Sequence, residues 1–312
     1  MFDADRIAKL DMFTRCVVGL TALVCVAAPL YSHLSLDLRG TALPVLALVL
    51  MGALALIYGR WRPAPRIAAA AAMTADLIAF GLVLGAASYL AAAAGRPMMA
   101  AQFAAADHWL GFDWQTYVLF VRANPALGAL LHFGYTMMVQ QLGLLVVAFT
   151  LLGRFHWLRI TVDAFGLMAL TAVILSGFFP AVDADVYFGA MVPQMTPHGW
   201  IAGLQRVQDF LNLRDGFLVQ IPVIDATGIV TFPSFHTMCG FLFAVAFAQM
   251  RFLRWPGVAI NALLIAATPV EGGHYFIDML VGIALAAAIL SAIFAYVRVR
   301  DPAPAFALAA AE

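Results

Sequence analysis

Residues 274–296 read HYFIDMLVGIALAAAILSAIFAY. This stretch is long enough to cross the apolar core of a bilayer, which takes about 20 residues in a helix. After Asp278, close to its start, it contains no charged side chain. An apolar run of this length predicts a membrane-spanning helix.

The composition of the whole chain agrees with that prediction. Of 312 residues, 64% are hydrophobic and 11% are charged, whereas roughly 25% of residues are charged in an ordinary globular domain. The formal net charge is zero, so the sequence predicts no nucleic-acid partner. The three cysteines, Cys16, Cys25 and Cys239, fall in apolar segments and are interpreted as small hydrophobic residues rather than a disulfide framework or a metal site.

Apolar runs separated by breaks that contain Arg, Gly or Pro predict an all-α, polytopic membrane helix bundle of about eight transmembrane helices. The predicted spans are residues 16–36, 41–59, 68–94, 126–152, 160–179, 233–250, 256–270 and 274–296. Residues 1–66 are predicted to form two N-terminal transmembrane helices, residues 67–300 a membrane domain with the remaining six, and residues 301–312 a disordered tail.

The distribution of positive charge predicts the orientation in the membrane. With eight spans, both termini and every second loop lie on one side, and that side carries twelve of the 17 Lys and Arg residues. Positive residues concentrate in cytoplasmic loops. We therefore expect an inner (cytoplasmic) membrane protein with both termini in the cytoplasm and its two long loops, at about 95–125 and 180–232, in the periplasm.

Two short motifs open the sixth and eighth predicted spans. Residues 232–237 read FPSFHT and residues 272–278 read GGHYFID. The predicted topology puts His236 and His274 at the same outer level. His274 and Asp278 are four residues apart and share one helix face, so the carboxylate can fix the imidazole tautomer and leave its other nitrogen free to attack. Ionisable groups within spans are functional candidates by default, although an interfacial histidine can also be only a hydrogen-bonded boundary residue.

These motifs resemble the second and third motifs of the type 2 phosphatidic acid phosphatase superfamily. The forms FPSFH and GHYFID are most similar to its inositol phosphorylceramide synthase-like (inositolphosphotransferase) branch. The resemblance implies that His274 is the nucleophile and forms a phosphohistidine, that Asp278 orients it, and that His236 protonates the leaving alcohol. It implies that residues 67–300 form a membrane domain of the phosphatase or phosphotransferase type with a six-helix catalytic core. It also implies a membrane lipid as substrate and chemistry without a metal or cofactor. The oligomeric state stays open.

The sequence departs from the wider superfamily at the positions that bind phosphate there. There is no Lys-x6-Arg-Pro motif, since the only lysine is Lys9, and Thr268 stands where phosphatase-type members carry an arginine. The predicted phosphate-binding groups are Arg206 and Arg214 in the long outer loop, with backbone amides near Ser234 and Gly273. Alternatively, the two arginines pair with Asp209 and Asp215 on a solvated helix.

Three further residues are predicted to line a substrate cavity: Tyr135, Gln140 and Tyr275. Interhelical hydrogen bonding is the alternative role for the polar residues of the fourth span. The sequence thus predicts a membrane enzyme that transfers a phosphoryl or phospho-headgroup from a lipid. Hydrolysis to inorganic phosphate shares the first half-reaction and stays open, as does a non-catalytic lipid transporter or scaffold.

Overall fold

The computed structural model describes residues 2–189, 199–224 and 228–298, with the backbone alone for residues 199–205. The predicted tail, residues 301–312, lies outside the described residues. The α-helices of the first half are α1 (Ala4–Val26), α2 (Ala28–Tyr31), α3 (Ala42–Leu56), α4 (Pro65–Ala92), α5 (Ala100–Trp109), α6 (Trp114–Ala123) and α7 (Pro125–Thr136). Those of the second half are α8 (Met138–Leu151), α9 (Phe155–Phe178), α10 (Ala184–Tyr187), α11 (Gly199–Arg214), α12 (Phe235–Ala248), α13 (Arg254–Glu271) and α14 (Phe276–Val297).

The predicted all-α class is confirmed. Each of the eight predicted spans coincides with a helix or a pair of helices, and α3 continues through a π-helical turn to give a span at Ala42–Trp61. Within the described part of the chain, four helices are long and apolar enough to cross a membrane: Ala42–Trp61, α4, α9 and α14. The pair α7–α8 is bent by 49° at Met137 and makes a fifth candidate if it is one span.

The other three predicted spans, α1, α12 and α13, are helical but do not meet that criterion of length and composition. The first half of α1 is charged, with Asp5, Arg6, Lys9, Asp11 and Arg15. The helix α12 has only 14 residues, and α13 has 18. Helices are therefore present at all eight predicted spans, while among the described residues only four or five have the apolar length of a complete span.

Ion pairs tie the N-terminal helix α1 to the helices behind it. Arg15 donates to both carboxylate oxygens of Asp76 on α4, at 2.9 and 2.7 Å. Arg159 on α9 donates to Asp11 at 3.1 Å. Asp76 therefore joins α4 to α1, as polar residues within spans commonly join helices.

The two ends of the described chain lie at one end of the bundle. The backbone N–H of Asp3 donates to the carbonyl of Val297 at 2.8 Å, so the start of α1 adjoins the end of α14. Two three-residue strands, β1 (Ser35–Asp37) and β2 (Gln220–Pro222), pair in parallel and join the loop after α2 to the loop after α11.

The helical hairpin α12–α13 carries the chain from the first motif to the second. Its helices approach closely at glycines, because a Cβ on Gly240 would lie 2.8 Å from Ile265 Cγ1 and one on Gly257 would lie 2.3 Å from Phe247 Cβ. The residue Pro269 sits inside α13. The hairpin returns the chain to the level at which α12 began, which brings the two motifs together.

Candidate active site

The two motifs meet through a backbone contact. The residue before α12, Ser234, caps that helix by accepting a hydrogen bond on its hydroxyl from Thr237 N–H at 3.3 Å. Its own backbone N–H donates to the carbonyl of Asp278 at 3.1 Å. A Cβ on Gly282, one turn further along α14, would lie 2.8 Å from the Ser234 carbonyl. The starts of α12 and α14 are therefore fixed against each other.

The buried pair His274–Asp278 forms, although not along one helix face as predicted, because α14 begins at Phe276 and His274 precedes it. The Nδ1 atom of His274 lies 3.3 Å from Asp278 Oδ2, and the same oxygen accepts the Tyr275 N–H at 2.9 Å. The exposed fraction is 2% for His274 and 0% for Asp278. A carboxylate at Nδ1 favours the tautomer with the proton on that nitrogen, so the Nε2 lone pair is available as a nucleophile.

His236 faces His274 across the site. The two ring centroids are 6.3 Å apart, and the rings are inclined at 58°. On its other side, the His236 ring stacks on Tyr135 of α7 at 4.5 Å and 15°. This stacking fixes the plane of the imidazole, and the gap between the two histidines leaves room for a group to lie between their nitrogens.

Arg206 is the cation that the structure brings to the histidines. Its Nε donates to Asp183 Oδ2 at 3.1 Å, its Nη2 also contacts that oxygen, and Nη2 donates to the Gly272 carbonyl at 3.1 Å. The other oxygen of Asp183 accepts from the Thr231 hydroxyl at 2.7 Å. Burial alone would lower the pKa of the Arg206 guanidinium, but the Asp183 carboxylate, together with the nearby Tyr135 and Asp185, outweighs burial and raises it, so the side chain stays charged.

The two glycines before His274 are required by this packing. Gly273 has φ +63°, and a Cβ there would lie 2.9 Å from Asp183 Cβ and 3.0 Å from Asp185 Oδ1. At Gly272 a Cβ would lie 2.8 Å from His274 Cδ2 and 3.0 Å from the Tyr135 hydroxyl. Glycine therefore allows the Asp183 segment to lie directly against the backbone that carries the nucleophile.

Asp107 on α5 supplies a second cap for α14. Its two carboxylate oxygens accept the backbone N–H groups of Phe276 and Ile277, both at 2.7 Å. Asp107 is only 1% exposed. Because the first N–H groups of a helix have no partner within it, this carboxylate fixes the start of α14 from the neighbouring helix α5, two residues after His274.

A cavity of about 260 Å³ opens beside the histidines. Its polar side consists of Arg206, His236 and His274. The remaining walls are mostly apolar and come from α4, α8, α9, the start of α12 and the segment 228–230.

Several predicted site residues lie elsewhere. Arg214 does not line this cavity: its Nη2 donates to the Arg96 carbonyl at 2.7 Å, and its guanidinium lies over Phe210. Gln140 lines a different cavity of about 220 Å³, between α8, α12 and α13. The bend after Tyr135 explains this, because it turns α8 away from the direction of α7.

Tyr275 was predicted to line the substrate cavity, and this was wrong. Its side chain is 0% exposed, its hydroxyl donates to the Val182 carbonyl at 3.2 Å, and its ring packs near Phe103. The reason is its extended backbone at the start of α14, with ψ 156°, which directs the side chain away from that of His274. The backbone N–H of Ser234, predicted to bind phosphate, donates instead to the Asp278 carbonyl.

The structure shows functional candidates that the sequence analysis did not assign. Asp183, Thr231 and Asp107 hold the groups around His274, although each lies outside the two histidine motifs. A second histidine–carboxylate pair, His132 Nδ1 to Glu271 Oε2 at 2.9 Å, joins α7 to the end of α13. Neither of its members lines the cavity beside His236 and His274.

Comparison with known proteins agrees with the motif resemblance. No curated protein and no solved structure matches the chain. A family model described as PAP2 superfamily matches residues 101–292, which is more than half of the chain and includes both histidine motifs. The chain therefore belongs to the PAP2 superfamily.

Proposed function

We propose that the protein is a membrane phosphotransferase that moves a phosphoryl or phospho-headgroup from a lipid donor to an alcohol through a phosphohistidine on His274. Members of the PAP2 superfamily are generally phosphatases or phosphotransferases. The observation that carries the proposal is the buried His274–Asp278 pair, which faces His236 at 6.3 Å and shares a cavity with Arg206.

In the first step, Nε2 of His274 attacks the phosphorus of the lipid, and the bond from phosphorus to the leaving alcohol oxygen breaks. Protonated His236 donates its proton to that oxygen, so the alcohol leaves neutral. The hydrogen bond from His274 Nδ1 to Asp278 stabilises the positive charge that develops on the ring. A bond of 3.3 Å is long for this role, and such bonds often tighten once substrate is bound.

In the second step, an acceptor hydroxyl gives its proton to His236 and its oxygen attacks the phosphorus. The bond from nitrogen to phosphorus breaks, and both histidines return to their starting states. Catalysis of phosphoryl transfer depends on positioning and on positive charge near the phosphate oxygens. Arg206 supplies that charge, and Asp183 and Gly272 hold it in place.

The acceptor distinguishes the transferase from a phosphatase. The resemblance to the inositol phosphorylceramide synthase-like branch favours a lipid alcohol. Burial supports the same choice, because His274 is 2% exposed and the adjoining walls are mostly apolar. If water is the acceptor instead, the protein is a lipid phosphate phosphatase that releases inorganic phosphate.

The test is an incubation of the purified protein with two phosphorus-labelled donors, phosphatidylinositol and phosphatidic acid, each with and without ceramide or diacylglycerol. The proposal expects the label to move to the added alcohol. Release of inorganic phosphate from phosphatidic acid and of inositol phosphate from phosphatidylinositol, with or without the added alcohol, supports the phosphatase. Lipid binding without turnover, unchanged in His274→Ala, supports a transporter or scaffold and contradicts the proposed enzyme.

We further propose that the site faces the periplasm from the inner membrane, with both termini in the cytoplasm. The distribution of Lys and Arg supports this orientation. The contact between Asp3 and Val297 places the start of α1 and the end of α14 at the same end of the bundle. Fusion of a cytoplasmic fluorescent reporter to the C-terminus should give fluorescence, and a fusion that is active only after export would reverse the orientation.

A further inference from the structure

We propose that the cavity beside His236 and His274 binds one hydrocarbon chain of the lipid substrate and that α4 forms the wall that admits it. The inference rests on the proposed function, since it assigns the apolar part of the same substrate.

The cavity is bounded by α4 and α9, which approach closely at two glycines of α9. A Cβ on Gly166 would lie 2.5 Å from Phe80 Cε2, and a Cβ on Gly177 would lie 3.3 Å from Ala91 Cβ. Between these two contacts the helices leave space. The cavity is therefore a bounded chamber and not a continuous groove along the two helices.

The residues of α4 that line the cavity recur at the spacing of one helix face. Five residues of α4 line the cavity: Phe80, Gly81, Leu84, Gly85 and Ser88. At a rise of 1.5 Å per residue, this face is about 12 Å long. The Ser88 hydroxyl is already hydrogen bonded, to Gly85 O at 2.6 Å and from Ile229 N–H at 3.1 Å, so the wall presents an apolar surface to a ligand.

The polar groups lie toward the Ser88 end of this face. The residue next to Ser88, Tyr89, donates its hydroxyl to Asp209, which lies one turn after Arg206 on α11. The opposite end is aromatic: Phe80 lies against Gly166, and the neighbouring Phe165 contacts the Phe235 ring at 5.3 Å. A lipid with its phosphate at Arg206 and His274 would thus place a chain along α4 toward these rings.

The volume limits the occupant. Ligand pockets commonly measure about 300–1,000 Å³, and this cavity is slightly smaller, at about 260 Å³. It holds part of one chain, so the second chain of a two-chain lipid stays outside it. Moreover, α4 lies wholly before residues 101–292 that match the family model. The wall therefore lies outside the region that matches the family model, and we expect it to influence which lipid chains fit.

Photo-crosslinking in membranes tests the assignment without requiring turnover. The probe is phosphatidic acid with a diazirine at the end of one acyl chain. The cavity-filling variant is Gly81→Leu, because no atom lies within 4 Å of the Cβ position at Gly81. The matched control is Gly143→Leu on α8, where the Cβ position is equally open and the residue is exposed outside the cavity.

We expect crosslinks within residues 80–88 and on α9 in the unaltered protein. They should fall about tenfold in Gly81→Leu, the lower end of what a misfit of one group in an apolar pocket costs, less in Gly81→Ala, and not at all in Gly143→Leu. Equal labelling of residues 80–88 in Gly81→Leu and the unaltered protein would overturn the assignment. A protein that crosslinks in this pattern but turns over no lipid contradicts the proposed function and leaves the chain site standing. An active protein without crosslinks at residues 80–88 contradicts the chain site and leaves the proposed function standing.

Discussion

The ion pair Arg206–Asp183 offers a sharp test of how the site is held together. The change is Asp183→Asn, which keeps the shape of the side chain and removes its charge. In the structure Asp183 is 4% exposed and accepts hydrogen bonds from Arg206 and from Thr231. The amide retains one acceptor oxygen for Thr231 but leaves the buried guanidinium without a counter-charge.

The expected loss of stability follows from this burial. Removing one partner of a buried ion pair costs about 3–5 kcal/mol, since the remaining charge is uncompensated. We therefore expect the free energy of unfolding of Asp183→Asn to fall by about 3 kcal/mol. Turnover of labelled lipid should fall about 100-fold, as expected when a prearranged group that stabilises developing charge is lost.

A double-mutant cycle separates the structural role from the catalytic one. Combining Asp183→Asn with Arg206→Gln removes both charges, so stability should recover in part relative to the sum of the single changes. Activity should not recover, because the phosphate has lost its cation. The control is Asp37→Asn, whose partner Arg39 is exposed, and it should change neither quantity appreciably.

The measurements are unfolding in mixed micelles and steady-state turnover on the same preparations. Full activity in Asp183→Asn would refute the positioning role. Strict additivity of the two stability losses would refute the claim that the two side chains act as a buried pair.

Three further changes test the surroundings of His274. Asp107→Ala should cost about 1–2 kcal/mol of stability and also lower kcat. The control Asp113→Ala removes the exposed cap of α6 and should leave kcat unchanged. Equal losses of kcat in the two variants would contradict the role of Asp107 in positioning α14. Gly273→Ala should abolish activity, because its Cβ would clash with Asp183 and its φ is positive. Gly153 also has a positive φ but open space around it, so Gly153→Ala should cost only about 1 kcal/mol of stability. An active Gly273→Ala protein would be inconsistent with the packing. Burial raises the pKa of Asp185 to about 6, so the folded state binds the proton more tightly than the unfolded state. The free energy of unfolding should therefore fall as pH rises from about 4 to 6. Asp185→Asn should flatten this slope, and an unchanged slope would refute the burial effect.

Much of the fold could be predicted from sequence because apolar runs dictate membrane helices. The predicted seventh helix, residues 256–270, is present as α13 and makes the hairpin that joins the motifs. The bend at Met137 and the approach of α4 to α9 were not predictable, since they depend on contacts between distant segments.

The candidate site was predictable where its chemistry is local in sequence. The contact between His274 and Asp278 was predicted from their spacing, but the shared helix face was wrong: His274 precedes α14, and Asp278 reaches back to it from the first turn. The choice between Arg206 and Arg214 required the structure: eight residues along a helix correspond to a rotation of about 80°, so only the packing of α11 decides which arginine faces the histidines. Asp183 belongs to a long loop without periodicity, and its role became visible only with its partner in place.

The most direct test of the account is to trap the phosphoenzyme. The protein is mixed briefly with phosphorus-labelled lipid donor, quenched in alkali, which preserves phosphohistidine, and digested for mass spectrometry. The account predicts label on the peptide that contains His274, loss of that label in His274→Ala, and its retention in His132→Ala, which removes the histidine of the other carboxylate pair. Turnover of the lipid by His274→Ala at an unchanged rate, or label on a different residue, would contradict the central claim.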